Sequence, residues 1–68
     1  MTTNLIVLLR AHRAQAKLTQ AELADLVGVS RKTINTIENG VFTPSTTLAL
    51  TLADELDCSV HDLFALPE

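Results

Sequence analysis

The feature of this sequence that most constrains its fold is a pair of closely spaced helix-start signals with a glycine between them. Thr19 begins a T-x-x-E capping box, in which a hydroxyl and a carboxylate bind free backbone N–H groups at a helix start. Gly28 can adopt the left-handed backbone that ends a helix, and Ser30 can cap the next one. The sequence therefore predicts two short helices, about 20–27 and 30–39, joined by a tight turn.

The second of these helices is predicted to be amphipathic. Its apolar arc, with Ile34 and Ile37, is expected to be buried, because so short a helix is not stable without packing. The opposite arc can donate to guanine, pair with adenine and contact a thymine methyl group, although any soluble helix also has a solvated polar face. The tight turn between the helices favours DNA reading over a solvated face. The polar arc consists of Arg31, Lys32, Asn35, Thr36 and Asn39.

The segment from Thr19 to Gly40 resembles the lambda-repressor-like, or xenobiotic-response-element, family of helix-turn-helix regulators. The resemblance extends more weakly over about Asn4 to Phe64, and it implies a compact all-α fold of five helices. It also implies that Arg31, Lys32, Asn35 and Thr36 read bases.

The resemblance implies two further roles near the DNA backbone. Gln20 is expected to bind a phosphate at a helix N-terminus, and Asn39 matches an asparagine that contacts the DNA backbone. Arg13 and Glu38 are expected to form a structural ion pair. Three more residues are expected to contact phosphates, two by charge and one through a loop hydroxyl: Arg10, Lys17 and Thr43.

Charge is unevenly distributed along the chain, which has a formal net charge of −3 at pH 7. Residues 1–41 contain five cations and three acids, a net +2, whereas residues 42–68 contain five acids and no cation, a net −5. The electric field of such a charge distribution orients the basic end of the protein toward a DNA duplex, while the acidic end weakens non-specific attraction to DNA. We therefore expect few phosphate contacts from cations and weak binding by one copy.

The length of 68 residues allows one modest core and a single domain, 1–68, of marginal stability unless it dimerises. We therefore expect a homodimer on an inverted repeat with two half-sites about 34 Å apart, the arrangement that helix-turn-helix proteins use. Two apolar patches are candidate interfaces, one in the N-terminal segment and one in the C-terminal tail; the alternative is that both belong to the core. The candidates are Leu5, Leu8, Leu63, Phe64 and Leu66.

Further helices are predicted outside the central pair. Thr3 is expected to cap a first helix over about 4–16, Ser45 a fourth over about 46–56, and Ser59 with Asp62 a short last one ending near residue 64 or 65. No strand long enough for a sheet is predicted. Leu48, Leu52 and Leu56 form a stripe along the fourth helix, which predicts packing under the central pair.

Some residues outside the motif suggest other chemistry but do not form a site. Phe42 is expected to pack inward, and Cys58 to be a buried, inert thiol. Cys58 and His61 are too few for a structural zinc site, which takes four ligands. No grouping of nucleophile, base and orienting residue is present, so no enzyme activity, metal or cofactor is expected.

Two classes of function remain open at the level of sequence. The preferred class is a sequence-specific regulator of transcription that binds double-stranded DNA. The alternative is a helical module whose main role is to bind a partner protein, as an antitoxin does. The apolar run from Leu5 to Leu9 is far shorter than the roughly 20 residues that span a bilayer, so a cytoplasmic protein is expected.

Overall fold

The computed structural model describes residues 5–68, in which five helices and one small sheet are present. The predicted all-α class is thereby confirmed, with the sheet as a minor addition. In chain order the elements are β1 Ile6–Val7, α1 Leu9–Gln15, α2 Gln20–Val27, α3 Arg31–Glu38, α4 Thr46–Glu55, α5 Val60–Leu63 and β2 Phe64–Ala65.

The central pair, α2 and α3, begins at the residues that the sequence predicts. Thr19 Oγ1 accepts the N–H of Glu22 at 3.0 Å, and Glu22 Oε1 accepts the N–H of Thr19 at 2.9 Å, which completes the capping box. Gly28 has φ +76° and ends α2 in the left-handed conformation. Ser30 Oγ accepts the N–H of Thr33 at 3.2 Å and caps α3. Local hydrogen bonds thus define both helices and their turn.

The core lies between these two helices and the helices that flank them. α3 packs against α2 and α1, and α4 packs against α2 and α5. Leu52 of α4 is fully buried, with Leu48 and Leu56 packed against the core, which confirms the predicted stripe. The buried apolar residues are Leu9, Leu23, Ala24, Ile34, Ile37, Leu52, Ala53, Leu63 and Phe64.

The predicted first helix over 4–16 is wrong at its N-terminal side. Ile6 pairs with Ala65 and Val7 with Phe64 in an antiparallel sheet, so this segment is extended, and the expectation of no sheet is also wrong. The N–H of Leu8 then donates to the carbonyl of Leu63 at 2.8 Å. Because backbone groups of residues 6–8 bond to the distant C-terminal segment, α1 begins only at residue 9. The predicted cap, Thr3, lies outside the described residues.

The C-terminal segment changes from helix to strand at Phe64. Ser59 and Asp62 form the predicted capping box, and α5 ends at Leu63 because Phe64 is extended, with φ −137° and ψ 135°. Leu63 is fully buried and Phe64 is 8% exposed. The expectation that these two residues lie at a dimer interface therefore needs correcting: they complete the core of one copy. Leu66, by contrast, is 72% exposed.

Within residues 5–68, none of the helices is both long and apolar enough to traverse a lipid bilayer.

Candidate nucleic-acid interface

The outer face of α3 presents the polar side chains that the sequence places there. Arg31, Lys32 and Asn35 are exposed, and with Gln20 from the start of α2 they line an open depression. Ile34 and Ile37, on the opposite face, are fully buried. Burial of one face therefore holds the other toward solvent, where it can meet a ligand.

Thr36, the fourth residue expected to read bases, lies at the edge of this face and is half-buried. Its Oγ1 donates to the carbonyl of Thr33 at 3.0 Å, so the hydroxyl is bonded within its own helix. The methyl group is then the part of Thr36 suited to an apolar contact, such as that with thymine.

The last residue of α3, Glu38, is joined to α1 by a short ion pair. Arg13 Nε donates to Glu38 Oε2 at 2.6 Å, and Arg13 Nη2 donates to Oε1 at 3.2 Å. Arg13 Nη1 also donates to the carbonyl of Leu18 at 2.8 Å. The Glu38 side chain is fully buried and that of Arg13 is 16% exposed, so this pair is shielded from solvent. It fixes the C-terminal end of α3 to α1 and to the chain that leads into α2.

Of the residues expected to contact the DNA backbone, two bond directly to Glu38 and a third bonds to one of those two. Arg10 Nε donates to Glu38 Oε1 at 3.2 Å, and Gln20 Nε2 donates to the same oxygen at 2.9 Å. Arg10 Nη2 donates to Asn39 Oδ1 at 2.9 Å. The ion-pair network, defined as Arg10, Arg13, Gln20, Glu38 and Asn39, therefore brings together residues from α1, α2 and the end of α3.

Sequence reasoning missed the part that Arg10 plays in this network. A signal was available, because Arg10 precedes Arg13 by three positions, and residues at that spacing share one face of a helix. Lys17, the other cation expected to contact phosphate, lies after α1 with a left-handed backbone, φ +60°, and is exposed.

The network keeps the Glu38 carboxylate ionised. Burial raises the pKa of Glu38, but hydrogen bonds from Arg13, Gln20 and Arg10 outweigh burial, and its pKa lies below the ordinary value of 4.5. The hydrogen bond to Glu38 likewise raises the pKa of Arg13, against the smaller effect of burial. At neutral pH both groups are charged, and the buried carboxylate has a full set of donors.

The loop after α3 turns its apolar side chains outward, so the expectation that Phe42 packs inward is wrong. Gly40 has φ +74°, and the following N–H groups of Val41 and Phe42 both donate to the carbonyl of Thr36, at 2.9 and 3.2 Å. This turn places Val41, 79% exposed, and Phe42, 49% exposed, beside α3. The hydroxyl-bearing Thr43 is exposed in the same loop.

The exposed cations and the acids of the C-terminal half lie on different elements. The exposed cations of the described chain belong to α1, its C-terminal turn and α3, namely Arg10, Lys17, Arg31 and Lys32. The acids of the C-terminal half lie in or beside α4 and α5 and at the chain end: Asp54, Glu55, Asp57, Asp62 and Glu68. The α3 face is therefore on the part of the chain that carries all the basic charge.

Cys58 shows no sign of an activated thiol. Burial, followed by the charges of Asp62 and Asp57, raises its pKa above the ordinary value of 9.0. Among residues 5–68 there is no cluster of three or more His, Cys, Asp and Glu residues arranged to hold a metal ion.

Comparison with known proteins agrees with this geometry. A helix-turn-helix family profile of the lambda-repressor-like type matches residues 9–63. An HTH-type transcriptional regulator from Methanothermobacter thermautotrophicus is 45% identical over 62 residues, which cover 90% of each chain. The chain therefore belongs to the lambda-repressor-like helix-turn-helix family, a class of DNA-binding regulators of transcription and not a family of enzymes.

Solved structures share both fold and sequence with the chain. The restriction-modification controller protein C.AhdI from Aeromonas hydrophila is 36% identical with a TM-score of 0.77, over 82% of this chain and 85% of that one. The P22 c2 repressor, solved in complex with a synthetic operator, is 36% identical with a TM-score of 0.75, over 78% and 80%. The chain spans 57% of the length of some other solved regulators that it matches.

Proposed function

We propose that the chain acts as one DNA-binding domain that recognises a specific duplex sequence by inserting α3 into the major groove. The observation that carries this proposal is the exposed polar face of α3, with Arg31, Lys32 and Asn35 around one depression and the isoleucines behind them buried. An α-helix fits the major groove of B-DNA, and these side chains match its donor and acceptor groups. The operator complex of the P22 c2 repressor supports the same use of the fold.

The ion-pair network holds the residues that face the DNA backbone. Gln20, Arg10 and Asn39 are each tied to Glu38 or to one another, which limits their side-chain freedom before binding. Preorganised contacts lose less conformational entropy on binding. Together with Lys17 and Thr43, these groups make phosphate contacts that set the register of α3, and the base contacts supply the specificity.

We further propose that the chain binds an inverted repeat as a homodimer. One copy offers few cations and a short recognition helix, so two half-sites about one helical turn apart give the affinity that one lacks. With Leu63 and Phe64 in the core, the exposed candidates for the interface are Leu66 and Leu8, 72% and 43% exposed, together with the half-buried Leu5. Relatives with the names of transcriptional regulators give no support to the partner-protein alternative.

Selection of bound sequences from a random duplex pool, repeated at two salt concentrations, tests this function. We expect the selected duplexes to share an inverted repeat whose half-site centres are about 34 Å apart. The preference should persist at the higher salt concentration, because base contacts depend less on salt than phosphate contacts do. A pool that shows no enriched sequence would contradict the proposal.

A further inference from the structure

We infer that Arg10 determines which way the side-chain amide of Asn35 faces when it meets DNA, and that it does so through Asn39. In this role Arg10 is a positioning residue that sets specificity at one base pair without touching a base. The inference rests on the proposed function, since Asn35 has to face DNA, and it concerns a relay of three side chains: Arg10, Asn39 and Asn35.

The relay begins at a group that can only donate. Arg10 Nη2 lies 2.9 Å from Asn39 Oδ1. A guanidinium carries five N–H donors and no acceptor, so the Asn39 atom that faces it has to be the carbonyl oxygen. The flipped amide would set two donors against each other. Arg10 therefore fixes the orientation of the Asn39 amide.

The fixed orientation of the Asn39 amide in turn fixes the orientation of the amide one helical turn earlier. With its oxygen bound to Arg10, the Asn39 amide nitrogen donates to Asn35 Oδ1 at 3.2 Å. The same argument now applies to Asn35, whose oxygen has to face Asn39. Among the hydrogen bonds within residues 5–68, none uses the Asn35 amide nitrogen, which leaves it available to donate to a ligand.

Arg10 is itself anchored, although its side chain is 58% exposed. Its Nε donates to Glu38 Oε1 at 3.2 Å, while Nη2 reaches Asn39, so two separate bonds hold the guanidinium. The Glu38 side chain is fully buried and is bound in turn by Arg13 at 2.6 Å. The relay therefore starts from a fixed point in the fold and ends at the exposed face of α3.

A fixed amide discriminates between bases better than one that flips. In the major groove adenine offers an acceptor and a donor, guanine offers two acceptors, and thymine offers an acceptor beside a methyl group. A side-chain amide that can exchange its oxygen and nitrogen adapts to more than one of these patterns. One net hydrogen bond separates the matched from the mismatched orientation, so we expect loss of the relay to lower discrimination about three- to tenfold at one base pair.

The experiment measures the dissociation constants of the selected duplex and of its single-base variants by fluorescence anisotropy. Asn35→Ala identifies the base pair at which Asn35 discriminates. Arg10→Met and Asn39→Ala are each expected to lower discrimination at that pair and to leave it unchanged at the others. Lys17→Met is the matched control: it removes the same charge outside the relay, so it should weaken binding to all the duplexes by one common factor.

A double variant separates positioning from a general structural effect. If Arg10 acts through Asn35, then Arg10→Met causes no further loss of discrimination at that pair once Asn35→Ala is present. Uniform weakening by Arg10→Met, as for Lys17→Met, would overturn the inference while leaving the proposed function intact. Circular dichroism checks that each variant is folded. If Arg10→Met is unfolded, Asn39→Ala provides the test. Discrimination by Asn39→Ala equal to that of the wild type would overturn the inference. A wild-type chain without any preferred sequence would overturn the proposed function itself.

Discussion

Arg13 Nε lies 2.6 Å from Glu38 Oε2, and this contact joins α1 to the end of the helix whose outer face meets solvent. The Glu38 side chain is fully buried, and its carboxylate accepts hydrogen bonds from three residues of two other helices. Because α3 is only eight residues long, its position depends on such tertiary contacts more than on its own helix propensity. The ion pair therefore connects the stability of the domain to the placement of the face that we propose reads DNA.

Replacement of Arg13 by methionine tests the energetic weight of this pair. The change keeps an apolar stem but leaves the buried carboxylate with Arg10 and Gln20 alone, so we expect the free energy of unfolding to fall by about 2–3 kcal/mol. Urea denaturation followed by circular dichroism measures the fall. Arg31→Met, on the exposed face of α3, is the control and should change stability by no more than about 0.5 kcal/mol. Equal losses of unfolding free energy in the two variants would contradict the stabilising role assigned to the ion pair.

The stability should depend on pH through Glu38. Its pKa is lowered on folding, so its stabilising contribution is complete above the ordinary value of 4.5 and is lost as pH falls through the lowered pKa. We expect the difference in unfolding free energy between the wild type and Glu38→Gln to be constant from pH 7 to about 5 and to shrink below 4.5. Glu22 and Asp62, whose pKa values are also lowered by their capping hydrogen bonds, titrate in both proteins and cancel. A difference that grows on acidification would contradict the account.

The elements that the sequence predicts well are those whose starts depend on local hydrogen bonds. Thr19, Ser30, Ser45 and Ser59 all occupy the capping positions inferred for them, because a cap bonds to a backbone group only two or three residues away. The buried faces of α3 and α4 also follow from the spacing of their apolar residues. Local chemistry and periodicity were sufficient for this part of the fold.

The parts that the sequence does not predict depend on contacts between distant residues. Ile6 belongs to a strand because it pairs with Ala65. When that partner is not known, the spacing of Ile6 from Leu9 fits a helix as well as a strand. Arg10 meets Glu38 and Asn39 only after α1 packs against α3. Phe42 faces outward because the turn at Gly40 brings two N–H groups onto one carbonyl. Apart from the three-residue spacing of Arg10 and Arg13, these relationships leave no signal in nearby residues.

Gly28 should tolerate a side chain sterically but not conformationally. An added Cβ would have no heavy atom of a non-neighbouring residue within 4 Å, whereas φ is +76°, a conformation that costs an L residue about 1–2 kcal/mol. Gly28→Ala is therefore expected to lower the free energy of unfolding by about 1 kcal/mol, and Gly28→Asn by less, since asparagine tolerates this region better. Thermal unfolding of both variants provides the comparison. If alanine were as stable as glycine, the turn would not have the described geometry.

The revised dimer surface predicts different results for two neighbouring leucines. Leu66 is 72% exposed, so Leu66→Asp should convert a dimer to a monomer in analytical ultracentrifugation with little loss of stability per copy. Leu63 is fully buried, so Leu63→Ala should lower the unfolding free energy by about 2–5 kcal/mol. A stable dimer in Leu66→Asp would exclude the tail as the interface and leave the surface around Leu8.

The most direct test of the central claim is the affinity of the selected duplex for the wild type and for Arg31→Ala/Lys32→Ala, measured by fluorescence anisotropy. Both side chains are exposed on α3, so the variant should fold normally, and its loss of base contacts should weaken specific binding at least about a hundredfold. Asp54→Ala/Glu55→Ala, on exposed positions of α4, is the control and should keep the wild-type preference. A folded Arg31→Ala/Lys32→Ala variant that still prefers the selected duplex as strongly as the wild type would contradict recognition through α3.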